Sequence, residues 1–130
     1  MRRDYRKLGI WQKSYDFVLF VYPFLSSLPE SEELNLVSQI RRAAVSIPLN
    51  IAEGSAQRSK KQFLHFLNIS YASAKELDVC FFLCRDLFAS DVDSLLSHLD
   101  DLKKMLFGFM RALEGEIVRD GARFPSFRPD

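Results

Sequence analysis

Apolar residues recur at helical spacing along almost the whole of this chain. Only five glycines and five prolines interrupt its 130 residues, and no alternation of apolar and polar residues lasts long enough to indicate a strand. Four periodic segments are separated by short turns, and short connections make consecutive helices antiparallel neighbours. The sequence therefore predicts an all-α fold, a single up-down-up-down four-helix bundle over residues 1–120.

The expected helix boundaries follow from the extent of each apolar pattern. Residues 121–130 contain two prolines and are expected to form an irregular tail. The second helix should begin after an N-cap at Ser31, place Leu34 on its core face and end before Gly54. The predicted helices cover residues 8–27, 31–53, 59–88 and 91–119, with capping boxes formed by Ser59 and Gln62 in the third and by Ser90 and Asp93 in the fourth.

Pro48 lies inside the second predicted helix. Because proline has no backbone N–H, the Ala44 carbonyl loses its helical donor there, and the helix is expected to kink. We expect the Asn50 amide or a water molecule to satisfy that carbonyl.

The first and third predicted helices are apolar on more than one side. In the first, Tyr15, Val18 and Tyr22 belong to one stripe, whereas Phe17 and Val21 belong to another. A helix that is apolar nearly all round is buried on more than one side. A monomer would expose large apolar patches, so we expect the chain to assemble as a homo-oligomer.

The charge is balanced overall but segregated along the chain. Eighteen Lys and Arg residues against 17 Asp and Glu residues give a net charge of +1, which by itself points neither toward nor away from nucleic acid. Residues 41–61 hold five basic side chains and one acidic one, whereas residues 76–101 hold one basic and seven acidic side chains. One side of the molecule is thus suited to a polyanion or to another copy of the chain.

The sequence favours a cytoplasmic protein with no membrane partner. The longest apolar run, Phe17–Leu25, is about half of a membrane span. Asp4 and Asp16 interrupt the pattern of a signal peptide, and no cleavage site follows Leu25. Two cysteines do not make a disulfide framework.

Enzymatic and metal-binding patterns are weak. Cys80 and Cys84 lie one turn apart, but His65 and His98 are the only histidines available to complete a zinc site. Buried thiols on an apolar helix face are the simpler interpretation. The sequence has neither a nucleophile elbow nor a glycine-rich phosphate loop. We therefore expect no enzyme activity, no catalytic residue, no metal and no cofactor.

The second predicted helix contains a long, specific motif. Residues 46–54 read SIPLNIAEG, the first helix opens with LGIWQK at residues 8–13, and the third contains FLHFLNIS and SAKEL at residues 63–70 and 73–77. Together these segments resemble the bacterial four-helix-bundle protein family whose first members are encoded by intervening sequences within 23S ribosomal RNA genes. The resemblance covers about residues 8 to 118, which is nearly all of the predicted helical chain.

The resemblance implies a homopentameric bundle that forms a tapered barrel with a central pore, without enzymatic activity. The accessory variability determinant of diversity-generating retroelements is similar in bundle and assembly, and it binds a reverse transcriptase. The resemblance thus implies association with nucleic acid or a ribonucleoprotein.

Two sets of polar residues are candidate sites. Arg42, Ser46, Asn50 and Glu53 share one face of the second helix, and Glu76 is a candidate partner for Arg41 or Arg42. This set favours a polar network that stabilises the helix or a subunit contact over a ligand site. The second set comprises the basic residues that precede the first and third helices, for which phosphate binding and ordinary solvated charge both stay open: Arg2, Arg3, Arg6, Lys7, Arg58, Lys60 and Lys61.

The sequence leaves two functions from different classes. The first is a non-enzymatic homo-oligomeric scaffold, pentameric by resemblance, that associates with nucleic acid or a ribonucleoprotein. The second is an adaptor that recruits a protein such as a reverse transcriptase through acidic residues 76–101 and the rim of the pore, and does not bind RNA.

Overall fold

The computed structural model describes residues 4–123, with side chains described for residues 4–122. Within that range the protein is all-α, without strands, and a 3-10 turn at Tyr5–Lys7 precedes the first long helix. A second 3-10 turn, Glu30–Glu32, and a π-helical turn, Glu33–Val37, join the first two long helices. The four long helices are α1 (Gly9–Leu25), α2 (Ser38–Ser55), α3 (Lys60–Phe88) and α4 (Asp93–Arg123).

The four helices pack as a bundle in which each contacts two neighbours. Helix α2 lies between α1 and α3, and α4 closes the bundle by packing against α3 and α1. Side-chain pairs show that α3 runs antiparallel to α4: Lys60 meets Asp120 at one end, and Asp78 meets Lys103 further along. A four-helix bundle is thus confirmed as the fold of the described residues.

One apolar core runs through the bundle. Each helix contributes residues at three- and four-residue spacing, and Phe63 and Phe81 are the largest side chains that are fully buried. Burying a side chain of this size contributes about 1.5–3 kcal/mol relative to leaving it exposed. The aliphatic residues that are fully buried with them include Val21, Val37, Ile40, Ile47, Ile51, Leu67, Leu77, Leu99, Leu102 and Leu106. None of the helices in the described part of the chain combines the length and apolarity that crossing a membrane requires.

The start of the second helix differs from the prediction. Helix α2 begins at Ser38, and Ser31 lies in a 3-10 turn instead of capping the helix. Leu34, which the sequence places in the core, is 94% exposed, whereas Leu36 and Val37 are buried. The π-helical turn inserts a wider turn before α2, so a constant 3.6-residue period assigns the wrong face to Leu34.

The turn between α3 and α4 also differs from the prediction. Ser59 caps α3 as expected, with its hydroxyl oxygen 3.1 Å from the Gln62 N–H that it accepts. Ser90 does not start α4; its N–H donates to the Cys84 carbonyl and closes α3, where Ala89 adopts a left-handed φ of 54°. Asp91 accepts from the backbone N–H at the first residue of α4.

The other helix ends are close to the expected ones. Helix α1 ends at Leu25 rather than at residue 27, with Pro23 in its last turn. Helix α4 continues to Arg123, so the first part of the predicted irregular tail is helical. The rest of that tail, residues 124–130, lies outside the described residues.

Gly54 is a packing residue and not a helix terminator. Helix α2 continues through it to Ser55, and no glycine in the described residues has a positive φ. A Cβ atom added at Gly54 would lie 2.8 Å from the Cβ of Phe66 and 2.9 Å from a ring carbon of Phe63. The missing side chain is what allows the end of α2 to approach the start of α3 so closely.

We expect Gly54→Ala to destabilise the protein by about 1–3 kcal/mol, because the added methyl group overpacks a site with no room for it. Alanine is otherwise the better helix former, so Gly108→Ala is the matched control. Gly108 lies within α4 and has open space around its missing Cβ. This control should stabilise the protein by about 0.5–1 kcal/mol. Urea unfolding at one fixed protein concentration measures both changes, and equal effects at the two positions would contradict the prediction.

Candidate polar groove and basic cluster

A groove runs along the solvent-facing side of α2, beside α1. Its volume is 480 Å³, and it contains three of the four residues predicted to share a polar face, since Glu53 lies one turn further on. The groove is lined by Tyr22, Arg41, Arg42, Val45, Ser46, Leu49 and Asn50.

Glu76 is linked to Arg42 through an intermediate residue. Arg42 donates to Gln39 Oε1 at 2.8 Å, and the Gln39 amide donates to a carboxylate oxygen of Glu76 on α3. Arg41 pairs instead with Glu33, at 3.0 Å. The predicted direct pairing of Glu76 with Arg41 or Arg42 is therefore wrong. Gln39 was not predicted; its only signal in the sequence is the three-residue spacing to Arg42, which places both on one helix face.

Hydroxyl groups form the contact between α2 and α3 below this chain of hydrogen bonds. The hydroxyl oxygens of Ser46 and Ser73 are 2.9 Å apart, and the Ser70 hydroxyl donates to the Ile47 carbonyl at 2.9 Å. Both α3 serines are buried. Small hydroxyl side chains satisfy one another while letting the two backbones approach. Of the polar set predicted on α2, these contacts include Ser46, and their partners on α3 were not predicted.

The Asn50 side chain does not satisfy the Ala44 carbonyl. Its amide donates to the Ser46 carbonyl at 2.8 Å and lies 3.0 Å from the Ser46 hydroxyl oxygen. The expectation that the Asn50 amide satisfies this carbonyl is therefore wrong. An amide side chain four residues after a carbonyl reaches it more easily than one six residues after it, because residues four apart are neighbours on the helix surface.

The basic residues of the first turn stay at the surface. Arg6 pairs with Asp4 at 3.1 Å, and Lys7 is exposed. The hydrogen bond between Arg6 and Asp4 raises the pKa of Arg6 and lowers the pKa of Asp4. The two remaining candidates of this set, Arg2 and Arg3, lie outside the described residues.

The basic residues at the α2–α3 turn form one cluster. Arg58, Lys60 and Lys61 line a surface groove of 500 Å³ together with Ile117 and Asp120 from the end of α4. The three side chains were predicted as a set, and the structure brings them together. The proximity of α4 was not predicted, because pairing between helices is not visible in the spacing along one helix.

Lys60 forms salt bridges with two carboxylates. Its Nζ atom lies 2.8 Å from Asp120 Oδ2 and 3.2 Å from Glu116 Oε1. Hydrogen bonds to these groups raise the pKa of Lys60. Lys60 thus ties the start of α3 to the end of α4, and Arg58 and Lys61 are the other two basic residues of this cluster.

The two cysteines lie in the core. Burial raises the pKa of the Cys80 thiol and raises that of Cys84 to about 11. In the part of the chain that the structure describes, no group of three or more His, Cys, Asp and Glu side chains is placed to hold a metal ion. Such thiols are poor nucleophiles and poor metal ligands, since both roles need the thiolate.

These features define an all-α protein of the four-helix-bundle class whose second and third helices are joined by a buried polar network. The family model described as 23S rRNA-intervening sequence protein matches residues 6–108. The match covers most of the chain, including the motif of α2, and this protein belongs to that family. The family resemblance predicted from the sequence is thus confirmed. No curated protein sequence matches the chain.

The burial of the two thiols can be tested by chemical labelling. At pH 8, a pKa of about 11 leaves about one Cys84 thiol in a thousand ionised. We expect Ellman's reagent to label both cysteines slowly in the folded protein and rapidly in urea. Because the pKa is raised in the folded state, the stability associated with the protonated thiol is lost as the pH rises from 9.0 to about 11. Rapid labelling of two thiols without denaturant would contradict this burial.

Proposed function

We propose that this protein is a non-enzymatic homo-oligomeric scaffold, pentameric as the family resemblance implies, that associates with nucleic acid or a ribonucleoprotein in the cytoplasm. The observation that carries the proposal is the amount of large apolar surface left exposed by the bundle. Fifteen large apolar residues of the described chain are exposed. Surface of this kind favours association. The bend expected at Pro48 belongs to the same proposal, because it would shape the outer side of α2.

The basic cluster supports the nucleic-acid part of the proposal. Arg58 and Lys61 flank Lys60 at the turn into α3, and Lys60 is held beside them by its carboxylate partners. Each subunit contributes only a few phosphate contacts. A symmetric assembly repeats the cluster in every subunit, and repeated weak contacts to one polyanion add up to useful affinity.

A second function, the protein adaptor, is supported by the other charged end of the molecule. Asp91 and Asp93 are exposed at the turn between α3 and α4, in the segment with seven acidic residues. Other acidic groups of the segment are engaged within the chain, since Asp78 pairs with Lys103 and Asp100 with Lys104. An exposed acidic turn suits a basic protein partner, such as a reverse transcriptase, and repels RNA.

Fluorescence anisotropy of a labelled structured RNA, measured across a salt series, tests the first function. We expect the logarithm of the binding constant to fall linearly with the logarithm of the salt concentration. Reversing both Arg58 and Lys61 to Glu should weaken binding about 10-fold or more and flatten the slope by about one for each phosphate that the protein no longer neutralises. Both residues lie at the surface of the turn, so the fold should tolerate the change.

The control is Lys104→Glu, which reverses one charge on α4, half of the change made at the α2–α3 turn. Lys104 is paired with Asp100. The RNA affinity of this variant should differ from that of the unaltered protein by less than about twofold. Equal losses in the two variants would indicate a general charge effect and contradict a site at the α2–α3 turn. If the unaltered protein does not bind RNA even at low salt, the nucleic-acid function is wrong and the adaptor is the better proposal.

A further inference from the structure

An apolar stripe on α3 faces solvent beside α2. Ile69, Ala72, Glu76, Val79, Leu83 and Leu87 follow one another at intervals of three or four residues, and we call them the α3 stripe. Its four large apolar residues are between 38% and 62% exposed. The side of α3 that fills the core is a different one, formed by residues such as Leu67, Leu77 and Phe81. Spacing of this kind on a solvent-facing side is what a second helix packs against.

A second stripe, on α1, has the same spacing. Tyr15, Leu19 and Tyr22 are separated by four and three residues, and we call them the α1 stripe. Their exposed fractions are between 44% and 59%. Val21 and Phe17 fill the core from the other side of the helix. The α1 stripe is therefore an additional apolar side that the folded chain does not cover.

Helix α2 extends the surface of the α3 stripe. Leu49 is 62% exposed and lines the same groove as Tyr22, while the chain from Arg42 through Gln39 to Glu76 links α2 to the α3 stripe. With roughly 150–200 Å² for a fully exposed large side chain, the α3 stripe with Leu49 exposes about 450 Å² of apolar area and the α1 stripe about 260 Å². A contact between these two surfaces buries about 700 Å² of apolar area in total. Because about 60% of an interface is apolar, this corresponds to about 1,200 Å², the lower end of the range for specific interfaces.

The polar groups of the two stripes are complementary. Glu76 interrupts the α3 stripe with a carboxylate, one oxygen of which accepts from Gln39. Tyr15 and Tyr22 each bring a phenol hydroxyl that can donate to the other oxygen. A single polar position in an apolar seam selects the register of the helices that meet there.

We propose that the α1 stripe of one copy of this chain packs against the α2 side and α3 stripe of a second copy. The proposal rests on the self-association in the proposed function and adds the surfaces that meet. The two surfaces differ, so the contact is heterologous: each docked pair keeps one unused α1 stripe and one unused α3 stripe. Repetition of such a contact closes into a ring when the rotation between copies permits.

A complementation experiment tests the contact. Leu19→Glu places a charge in the α1 stripe, and Leu83→Glu places one in the α3 stripe. We expect each variant alone to sediment as a monomer, because one of its two surfaces is disrupted. A mixture should form a heterodimer with twice the monomer mass and no larger species, because the intact α1 stripe of Leu83→Glu docks on the intact α3 stripe of Leu19→Glu.

The control is Leu34→Glu, the same change at a 94% exposed leucine outside both stripes. This variant should assemble like the unaltered protein. Circular dichroism checks the fold of each variant. Val79→Glu, at a more exposed position of the α3 stripe, replaces Leu83→Glu if that variant loses helical signal.

The alternative outcomes overturn different statements. If the unaltered protein sediments as a monomer at every concentration measured, both the self-association and the contact are wrong. If the protein assembles but either stripe variant assembles equally well, the proposed contact is wrong and another surface holds the oligomer. If both variants are monomeric and their mixture forms no heterodimer, the contact is not heterologous. Failure to bind RNA affects none of these results.

Discussion

The close approach of α2 to α3 is the contact on which the rest of this bundle depends. At one end, the missing side chain of Gly54 lets α2 lie directly against the aromatic residues at the start of α3. Further along, Ser46 meets Ser73, and the Ser70 hydroxyl satisfies an α2 carbonyl. Small side chains let the backbones approach, and the hydroxyl groups provide one another with hydrogen-bond partners. The two helices thereby form a closely packed pair, against which α1 and α4 add their core residues.

The helices and much of their core could be predicted from the sequence because both depend on local periodicity. The Ser59 cap depends on a contact three residues away and was predicted for the same reason. The core assignment of Leu34 is wrong because a π-helical turn changes the period just before α2. Ser90 does not cap α4 as expected, because its N–H donates to a carbonyl at the end of α3. A local pattern cannot show which of two neighbouring helices a turn residue stabilises.

Only part of each candidate site could be predicted from the sequence, because the other residues of the site lie on another helix. The motif of α2 indicated a polar network, but Ser70 and Ser73 enter it only because α3 packs against α2 at that position. Likewise, the basic residues of the α2–α3 turn form a cluster by sequence proximity, whereas Glu116 and Asp120 reach Lys60 only through the packing of α4. The carboxylates reduce the positive charge that the cluster offers, which counting charges along the chain cannot reveal.

The polar residues of α2 and α3 lie in two places, inside the bundle and on its outer side. Inside the bundle, hydroxyl groups on α2 and α3 satisfy one another and close the contact. On the outer side of the same helices, Glu76, Gln39 and Arg42 are charged or amide groups that stay near solvent. A fully apolar outer face would associate with many partners in many registers, whereas one carboxylate within an apolar stripe penalises every arrangement that leaves it without a donor. In the proposed contact between copies, the polar chain on this face would therefore act on the choice of partner more than on the stability of the monomer.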